Sequence, residues 1–340
     1  MNKIKMTLVA LLIIVTSTTQ AQNAVDHMNA VLDPMTEFKT ETWQYLKAVT
    51  KGKGARKVDA KRQKLITEIS GVKSTVKREK AYNGDESLKN AVLEFLDLNY
   101  KVLKEDYDEI LNMEEIAEQS YDLMEAYLTA QEQASQKLNE ASDKLQAIQK
   151  TFAENNNINL IEGEQDKTSA KIQKAAKALE YYNDIYLVFF KVYKQEMYVL
   201  DAQSRNDVVA LEQNINTLKI DVEEANKKLS EMMAYEGDKS LIVAAEKAVS
   251  FYAEEANDNF ETVLNFYLTK DKYDKTVEEF NAISKKKRTQ KDIDTYNGAI
   301  NDYNKSVNEF NDVNESANKG RSSMFDDWNK AIDKFFSTHS

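Results

Sequence analysis

The sequence predicts an all-α protein, and three observations lead to this prediction. The 340 residues include one Pro and eight Gly, too few turn formers for a protein built from many short strands. Apolar residues recur three and four positions apart over long stretches, which is typical of amphipathic helices. The chain also carries an internal repeat. We therefore expect tandem duplicated up-down four-helix bundles, elongated in shape.

The repeat is clearest at residues 81–88 and 234–241, where six of eight residues are identical. Glycine adopts positive φ without a Cβ penalty and suits the position just past a helix end. Aspartate next to it can accept hydrogen bonds from the first N–H groups of the following helix. The segments are therefore predicted to be corners between helices; the alternative is a surface epitope used twice. The residues that define them are Tyr82, Gly84, Asp85, Tyr235, Gly237 and Asp238.

The N-terminus has the three regions of a secretory signal peptide. Lys3 and Lys5 precede an apolar run at 7–15, and Thr19-Gln20-Ala21 forms a cleavage site before Gln22. The apolar run is too short to serve as a membrane anchor. Residues 1–21 are therefore predicted to be removed on export to the periplasm or cell surface. A buried N-terminal helix is the alternative.

Composition excludes several functions. The chain has no Cys, which excludes disulfides, thiolate metal sites and cysteine nucleophiles. Its formal net charge is −11, and removal of Lys3 and Lys5 makes it −13. This charge opposes nonspecific binding to nucleic acid or anionic lipid.

Four helices are expected in a first bundle at 22–157: one over 23–49 bent at Pro34, one over 55–80, one after Gly84, and one over 114–154. The Asn-rich segment 155–167 is interpreted as the joint between two domains.

Four more helices are expected in a second bundle at 168–337. The helix at 169–203 is apolar on more than half of its circumference, which predicts burial on two sides. A helix with a regular apolar seam follows at 208–232, and another covers 238–268. The last begins near Asp271, is interrupted at 285–288, and resumes with Thr289 as its cap. One merged bundle is the alternative.

The residue types needed for common catalytic sites are scarce. His27 and His339 are the two histidines, and neither lies in a Glu-x-x-His or His-Glu-x-x-His motif. We interpret His27 as an ordinary surface residue and His339 as part of a disordered terminus. The sequence thus predicts no enzyme, no cofactor and no metal site. Adjacent acids are interpreted as solvated helix faces, with weak divalent-cation binding as the alternative; they are Glu114-Glu115, Glu223-Glu224, Glu254-Glu255 and Asp326-Asp327.

Two surface features are candidates for binding a partner. Basic residues cluster at the first helical joint and again at 285–288. The first cluster comprises Lys51, Lys53, Arg56, Lys57, Lys61, Arg62 and Lys64. Such patches could bind anionic glycans, lipid A phosphates or an acidic partner. They could equally be solvated loops, or could pair with the acidic face of the other bundle. The last helix also carries a row of asparagines that could hydrogen-bond a partner chain or glycan, or form a neutral flank. The row comprises Asn297, Asn301, Asn304, Asn308, Asn311 and Asn318. Its first four members, Asn297, Asn301, Asn304 and Asn308, are the candidate binding residues.

Several segments resemble an uncharacterised family of exported bacterial surface proteins. They are residues 115–127, 157–162 and 237–241, together with the Tyr-Asn heptads near the C-terminus. The resemblance implies export from a Gram-negative cell and a helical fold. It implies no enzymatic activity and no known ligand.

Two functional hypotheses follow. The first is a non-catalytic, exported helical interaction or scaffold protein of the cell envelope, with an unknown protein or glycan as partner and no integral membrane anchor. The second is a periplasmic protein that binds a small ligand or metal between its two bundles, near the tyrosines of the helix at 169–203.

Overall fold

The computed structural model describes residues 12–14, 19–52, 54–107, 110, 113, 116–161 and 167–340. Almost all of these residues are helical, so the prediction of an all-α helical bundle protein is confirmed. Two three-residue strands, Leu12–Ile14 (β1) and Asn159–Ile161 (β2), pair antiparallel with Ile13 opposite Leu160. Strand β1 lies in the predicted signal peptide, most of which falls outside the described residues.

By their internal packing the residues form two compact units. The first unit comprises 1–183 with 333–340, and the second comprises 184–332. The division lies between Asn183 and Asp184, inside a helix, and not at the Asn-rich segment. The predicted domain bounds 22–157 and 168–337 stay a prediction.

The first unit is built from helices and one π-helical turn. They are Thr19–Leu32 (α1), Met35–Thr50 (α2), Ala55–Val76 (α3), Ser87–Lys101 (α4), the π-helical turn Val102–Asp106 and Tyr121–Asn155 (α5). Pro34 separates α1 from α2, as its ring predicts. Residues spaced three and four apart on α3 are buried in the core: Leu65, Ile69, Val72 and Val76.

The second unit repeats this order of helices around a π-helical turn. They are Lys167–Ser204 (α6), which crosses the unit boundary, Val208–Glu231 (α7), Ser240–Glu254 (α8), the π-helical turn Glu255–Asn259, Phe260–Ala282 (α9), the 3₁₀ turn Lys285–Lys287 and Gln290–His339 (α10). The predicted seam of α7 is buried along its length: Leu211, Ile215, Leu218, Val222, Ala225 and Leu229.

One predicted helix boundary is wrong. A break was expected between 268 and 271, but α9 is continuous from Phe260 to Ala282. The segment contains no Gly or Pro that would end a helix. Ion pairs one helical turn apart, Lys270–Asp274 at 2.7 Å and Lys275–Asp271 at 2.6 Å, support the helix across the expected break.

The repeated segment forms the same tight turn in both units. The N–H of Asp85 donates to the carbonyl of Tyr82 at 2.8 Å, and Asp238 donates to Tyr235 at 2.8 Å. Both central residues of each turn have positive φ, with Gly84 at 86° and Gly237 at 89°. This is the pattern of a type I′ turn.

The turn differs from the predicted helix cap in one respect. The preceding helices end at Val76 and Glu231, several residues earlier, so the glycines lie in a separate turn and not at a helix end. The aspartates lie where their chemistry predicts. Oδ1 of Asp85 accepts from the N–H of Ser87, and Oδ1 of Asp238 from that of Ser240, both at 2.7 Å.

None of the described helices combines the length and the apolarity that crossing a membrane requires.

Candidate functional site: an arm and the ionic cluster at its base

A pair of helical segments continues past the end of α6. In the last turn of α6, the carbonyl of Gln203 accepts a hydrogen bond from Tyr267 Oη at 3.0 Å. Its side-chain amide donates to Asn314 Oδ1 at 3.1 Å. Beyond Tyr267, α9 continues for about 22 Å to Ala282. We call residues 268–308 the arm. Ala299 and Ser306 are its two buried residues, and all its other side chains are at least partly exposed.

Aromatic pairs join the two legs of the arm and its root; the two pairs within the arm are stacked, and the pair at the root is tilted by 33°. The partners step by seven residues forward along α9 and by seven backward along α10, which is an antiparallel heptad register. The ring centroids are 4.4 Å apart for Phe266–Phe310, 4.6 Å for Tyr273–Tyr303 and 4.3 Å for Phe280–Tyr296. The arm is therefore a two-stranded antiparallel coiled coil with an aromatic seam.

The tip of the arm, residues 283–289, is ordered by contacts that use none of its lysine side chains. The Arg288 guanidinium lies 4.0 Å from the Phe280 ring centroid, and its Nε donates to the Ile283 carbonyl at 3.1 Å. Thr289 caps α10, as predicted: its N–H and hydroxyl donate to Asp292 Oδ2 at 2.7 and 2.8 Å, while its Oγ1 accepts from the Asp292 N–H at 3.3 Å. These bonds, first the one from the backbone, lower the pKa of Asp292.

The structure brings two of the predicted binding features onto the arm. Its α10 leg carries the candidate residues of the asparagine row, whose spacing of four, three and four residues puts them on one helix face; Asn297, Asn301, Asn304 and Asn308 are all exposed. The second basic patch, 285–288, forms its tip. The first basic patch belongs to the first unit, where Arg56 and Lys57 are exposed in the first turn of α3 and Lys53 lies outside the described residues. The prediction that Arg62 belongs to this surface patch is wrong, because its side chain is buried and donates to the Leu103 carbonyl.

A buried ionic cluster lies at the base of the arm. Arg321 on α10 donates from Nη2 to both oxygens of Glu255, at 3.0 and 2.9 Å, and from Nε to Glu196 on α6. Both glutamates are fully buried, and the arginine side chain is 15% exposed. The cluster therefore ties α6, the second π-helical turn and α10 together.

The cluster holds two carboxyl groups against one guanidinium, so full ionisation would bury a net negative charge. Burial, and then the hydrogen bond to Glu196, raise the pKa of Glu255 to about 9. At neutral pH the carboxyl pair thus keeps one proton and the cluster is neutral. Burial, then the charge of Glu196, also raise the pKa of Tyr252, so this buried phenol stays protonated.

The interpretation of Glu254-Glu255 as a solvated pair is wrong for Glu255. Glu254 is exposed, but Glu255 is the first residue of the π-helical turn and points into the core. One feature of the sequence indicates that Glu255 is buried. Glu255 lies 153 positions after the buried Val102, the same spacing as between Tyr82 and Tyr235, so an acid occupies a core position of the repeat.

A groove of about 470 Å³ lies between α4 and α5 in the first unit. Its floor is apolar, with Phe95, Leu98 and Leu145, and its rim is charged. The rim carboxylate of Glu94 is paired with Lys144 at 2.5 Å. Of the other charged residues that line the groove, Lys137 is paired with Asp106 and Glu140 accepts a hydrogen bond from Gln136.

Both histidines lie in packed environments, so the two predictions about them are wrong. The His27 ring stacks on Tyr82 at 5.6 Å and lies 5.8 Å from Phe152. Burial lowers the pKa of His27, although Glu79 and Asp85 oppose the shift. His339 is buried in the last turn of α10, with its ring 4.8 Å from Phe335.

Within the part of the chain that the structure describes, no three His, Asp or Glu side chains are grouped so that they could hold a metal ion. Comparisons of the chain with protein-family models, with curated proteins and with solved structures found no match.

Proposed function

We propose that this chain is a non-catalytic, exported helical interaction protein of the cell envelope that engages a partner protein or glycan through the arm. The observation that carries the proposal is that the exposed asparagine row and the basic tip lie on one coiled coil that leaves the bundle. Binding residues are commonly held away from the core on extensions of a rigid scaffold.

The asparagine row supports this role because helix stability gives no reason for it. Asparagine is a mediocre helix former, and these side chains are exposed, so they contribute nothing to the aromatic seam. Each amide offers two donors and one acceptor oxygen, which can bind glycan hydroxyls or peptide groups.

We further propose that each unit derives from one up-down four-helix bundle, and that residues 1–21 are a signal peptide. The type I′ turn and the π-helical turn, which recur 153 positions apart, support the duplication. The order of charged, apolar and small residues supports the leader, and so does the resemblance to exported Gram-negative proteins. N-terminal sequencing of the protein recovered from the envelope should begin at Gln22.

Site-specific photo-crosslinking in the native envelope tests the role of the arm. A photoreactive residue at position 304 on the arm is compared with one at position 150, an exposed site on α5. A discrete adduct from position 304 alone is expected. Replacing Asn297, Asn301 and Asn308 with Ala should abolish it without weakening the helix, because Ala is the better helix former.

Three results would contradict the proposal. The first is equal adducts from both positions, and the second is an adduct that survives the alanine substitutions. The third is turnover of a peptide, glycan or lipid by the purified protein, which would show that the function is catalytic.

A further inference from the structure

The lysines of the arm differ in their contacts. Three on the legs are neutralised one helical turn away: Lys270 by Asp274, Lys275 by Asp271, and Lys305 by Glu309. Two others on the legs, Lys272 and Lys291, are exposed and form no ion pair with any residue that the structure describes. Those at the tip, Lys285, Lys286 and Lys287, are exposed and form no ion pair with any residue that the structure describes.

The acids that follow the tip in sequence are engaged in other contacts. The Asp292 carboxylate accepts both hydrogen bonds from Thr289, and Asp294 accepts from the side chain of Gln290 at 2.9 Å. On the α9 leg, Glu278 and Glu279 lie behind the apex. Positive charge is therefore concentrated at the end of the arm.

The tip is also preorganised. The N–H of Lys287 donates to the Ser284 carbonyl at 2.8 Å, and Arg288 is held on Phe280 and the Ile283 carbonyl. The turn that carries the lysines is thus fixed before any partner binds, which lowers the entropy cost of association.

The length of the arm separates this charge from the packed core of the second unit. A chain of net charge −11 is repelled by anionic surfaces. However, α9 continues for about 22 Å beyond Tyr267, and charges in physiological salt are screened over about 8 Å. The charges at the base of the arm are therefore largely screened at its tip.

The arrangement of the three lysines selects the kind of anion. Successive residues of a 3₁₀ turn point about 120° apart, so the ammonium groups diverge and do not converge on a single phosphate. Lysine binds phosphate as a point charge on a flexible stem. We propose that the tip of the arm docks on the phosphate layer of an anionic lipid surface. The proposal goes beyond the role given to the asparagine row, because it assigns the tip a partner of its own.

Vesicle co-sedimentation of the full-length chain tests the docking. The wild type is expected to bind vesicles of phosphatidylglycerol mixed with phosphatidylcholine, and not vesicles of phosphatidylcholine alone. Substituting Lys285, Lys286 and Lys287 with Gln should reduce partitioning about 100-fold, roughly fivefold for each lysine. The matched control replaces Lys270, Lys275 and Lys305 with Gln. It makes the same change in net charge on the same arm and should reduce partitioning less than about fivefold.

Four results would overturn the proposal: no preference for anionic vesicles, equal losses in the two variants, displacement by inorganic phosphate, or displacement by polyglutamate. The third would indicate a site for one anion, and the fourth an acidic protein partner. Circular dichroism of both variants checks that the arm stays helical. The adduct from position 304 reports on the asparagine row separately. If this adduct still forms while the chain does not bind anionic vesicles, the lipid proposal is wrong and the proposed function is unaffected.

Discussion

The two units contain the same backbone interruption, but each stabilises it with an arginine from a different helix. Their π-helical turns begin at Val102 and Glu255, and each helix is locally widened there. In the first unit the buried Arg62, on α3, donates to the Leu103 carbonyl at 2.6 Å. In the second unit Arg321, on α10, donates to the Glu255 carboxyl. The comparison shows that the turn is kept while the polar contacts around it vary.

The units differ also in the hairpin that follows the π-helical turn. In the first unit, 14 positions separate Asp106 from Ser120, whose side chain caps α5. In the second, 30 positions separate Asn259 from the cap Thr289. The 16 additional positions lengthen this hairpin, which is part of the arm. A surface for partners can therefore be added by lengthening one hairpin.

The largest expected difference between the units is in the stability that each loses when its arginine is removed. Arg321→Ala leaves two buried carboxyl groups without a cation and should destabilise the second unit by roughly 3–5 kcal/mol. Arg62→Ala removes charge-assisted hydrogen bonds and should cost the first unit about 1.5–3 kcal/mol. Each unit contains one tryptophan, Trp43 or Trp328, so urea unfolding of single-tryptophan variants resolves the two effects.

A control separates loss of charge balance from loss of packing. Replacing Glu196, Glu255 and Arg321 together with Leu, Val and Met removes all three charges. This triple variant should recover most of the stability that Arg321→Ala loses. Equal losses in Arg62→Ala and Arg321→Ala would contradict the distinction drawn between the units.

The second expected effect is a pH dependence in the second unit. The pKa of Glu255 is about 9 when folded and near 4.5 when unfolded, so the folded state binds this proton more tightly. The contribution is fully present below pH 4.5 and is lost as pH rises toward 9. It falls by up to about 1.4 kcal/mol per pH unit. Glu255→Gln should flatten the slope measured through Trp328; an unchanged slope would mean that another group titrates.

The third prediction is that replacing the turn glycine with alanine destabilises both units equally. Gly84 and Gly237 have φ of 86° and 89°, and an added Cβ would meet no atom within 4 Å in either turn. Alanine should therefore cost only backbone strain, roughly 1–2 kcal/mol, and the same at both positions. Gly71→Ala in α3 is the control and should stabilise the first unit by about 0.5–1 kcal/mol. Unequal costs in the two turns would show that their surroundings differ.

The smallest expected effect has the opposite pH sign and belongs to the first unit. Burial lowers the pKa of His27 below 6.5, so the unfolded state binds the proton more tightly. Stability should fall as pH drops through 6.5, and less steeply than the change expected for Glu255. His27→Phe keeps the stacking on Tyr82 and should remove the acid sensitivity reported by Trp43. A variant that remains equally acid-sensitive would assign the effect to other groups.

Sequence by itself determined the features that depend on neighbouring residues. The apolar seam of α7, the capping pair of Thr289 and Asp292, and the positive φ of Gly84 follow from side-chain spacing and turn chemistry within a few positions. The asparagine row and the second basic segment could likewise be read from the sequence as candidates for binding.

The tertiary structure decided which of these features share a surface and which charges are buried. Arg321 meets partners 66 and 125 positions away, at Glu255 and Glu196, and periodicity carries no information about contacts so distant. Continuity of α9 through the expected break placed the asparagine row and the basic segment on one arm. The physical reason is that local propensity forms each helix, whereas burial and charge pairing depend on how distant helices pack.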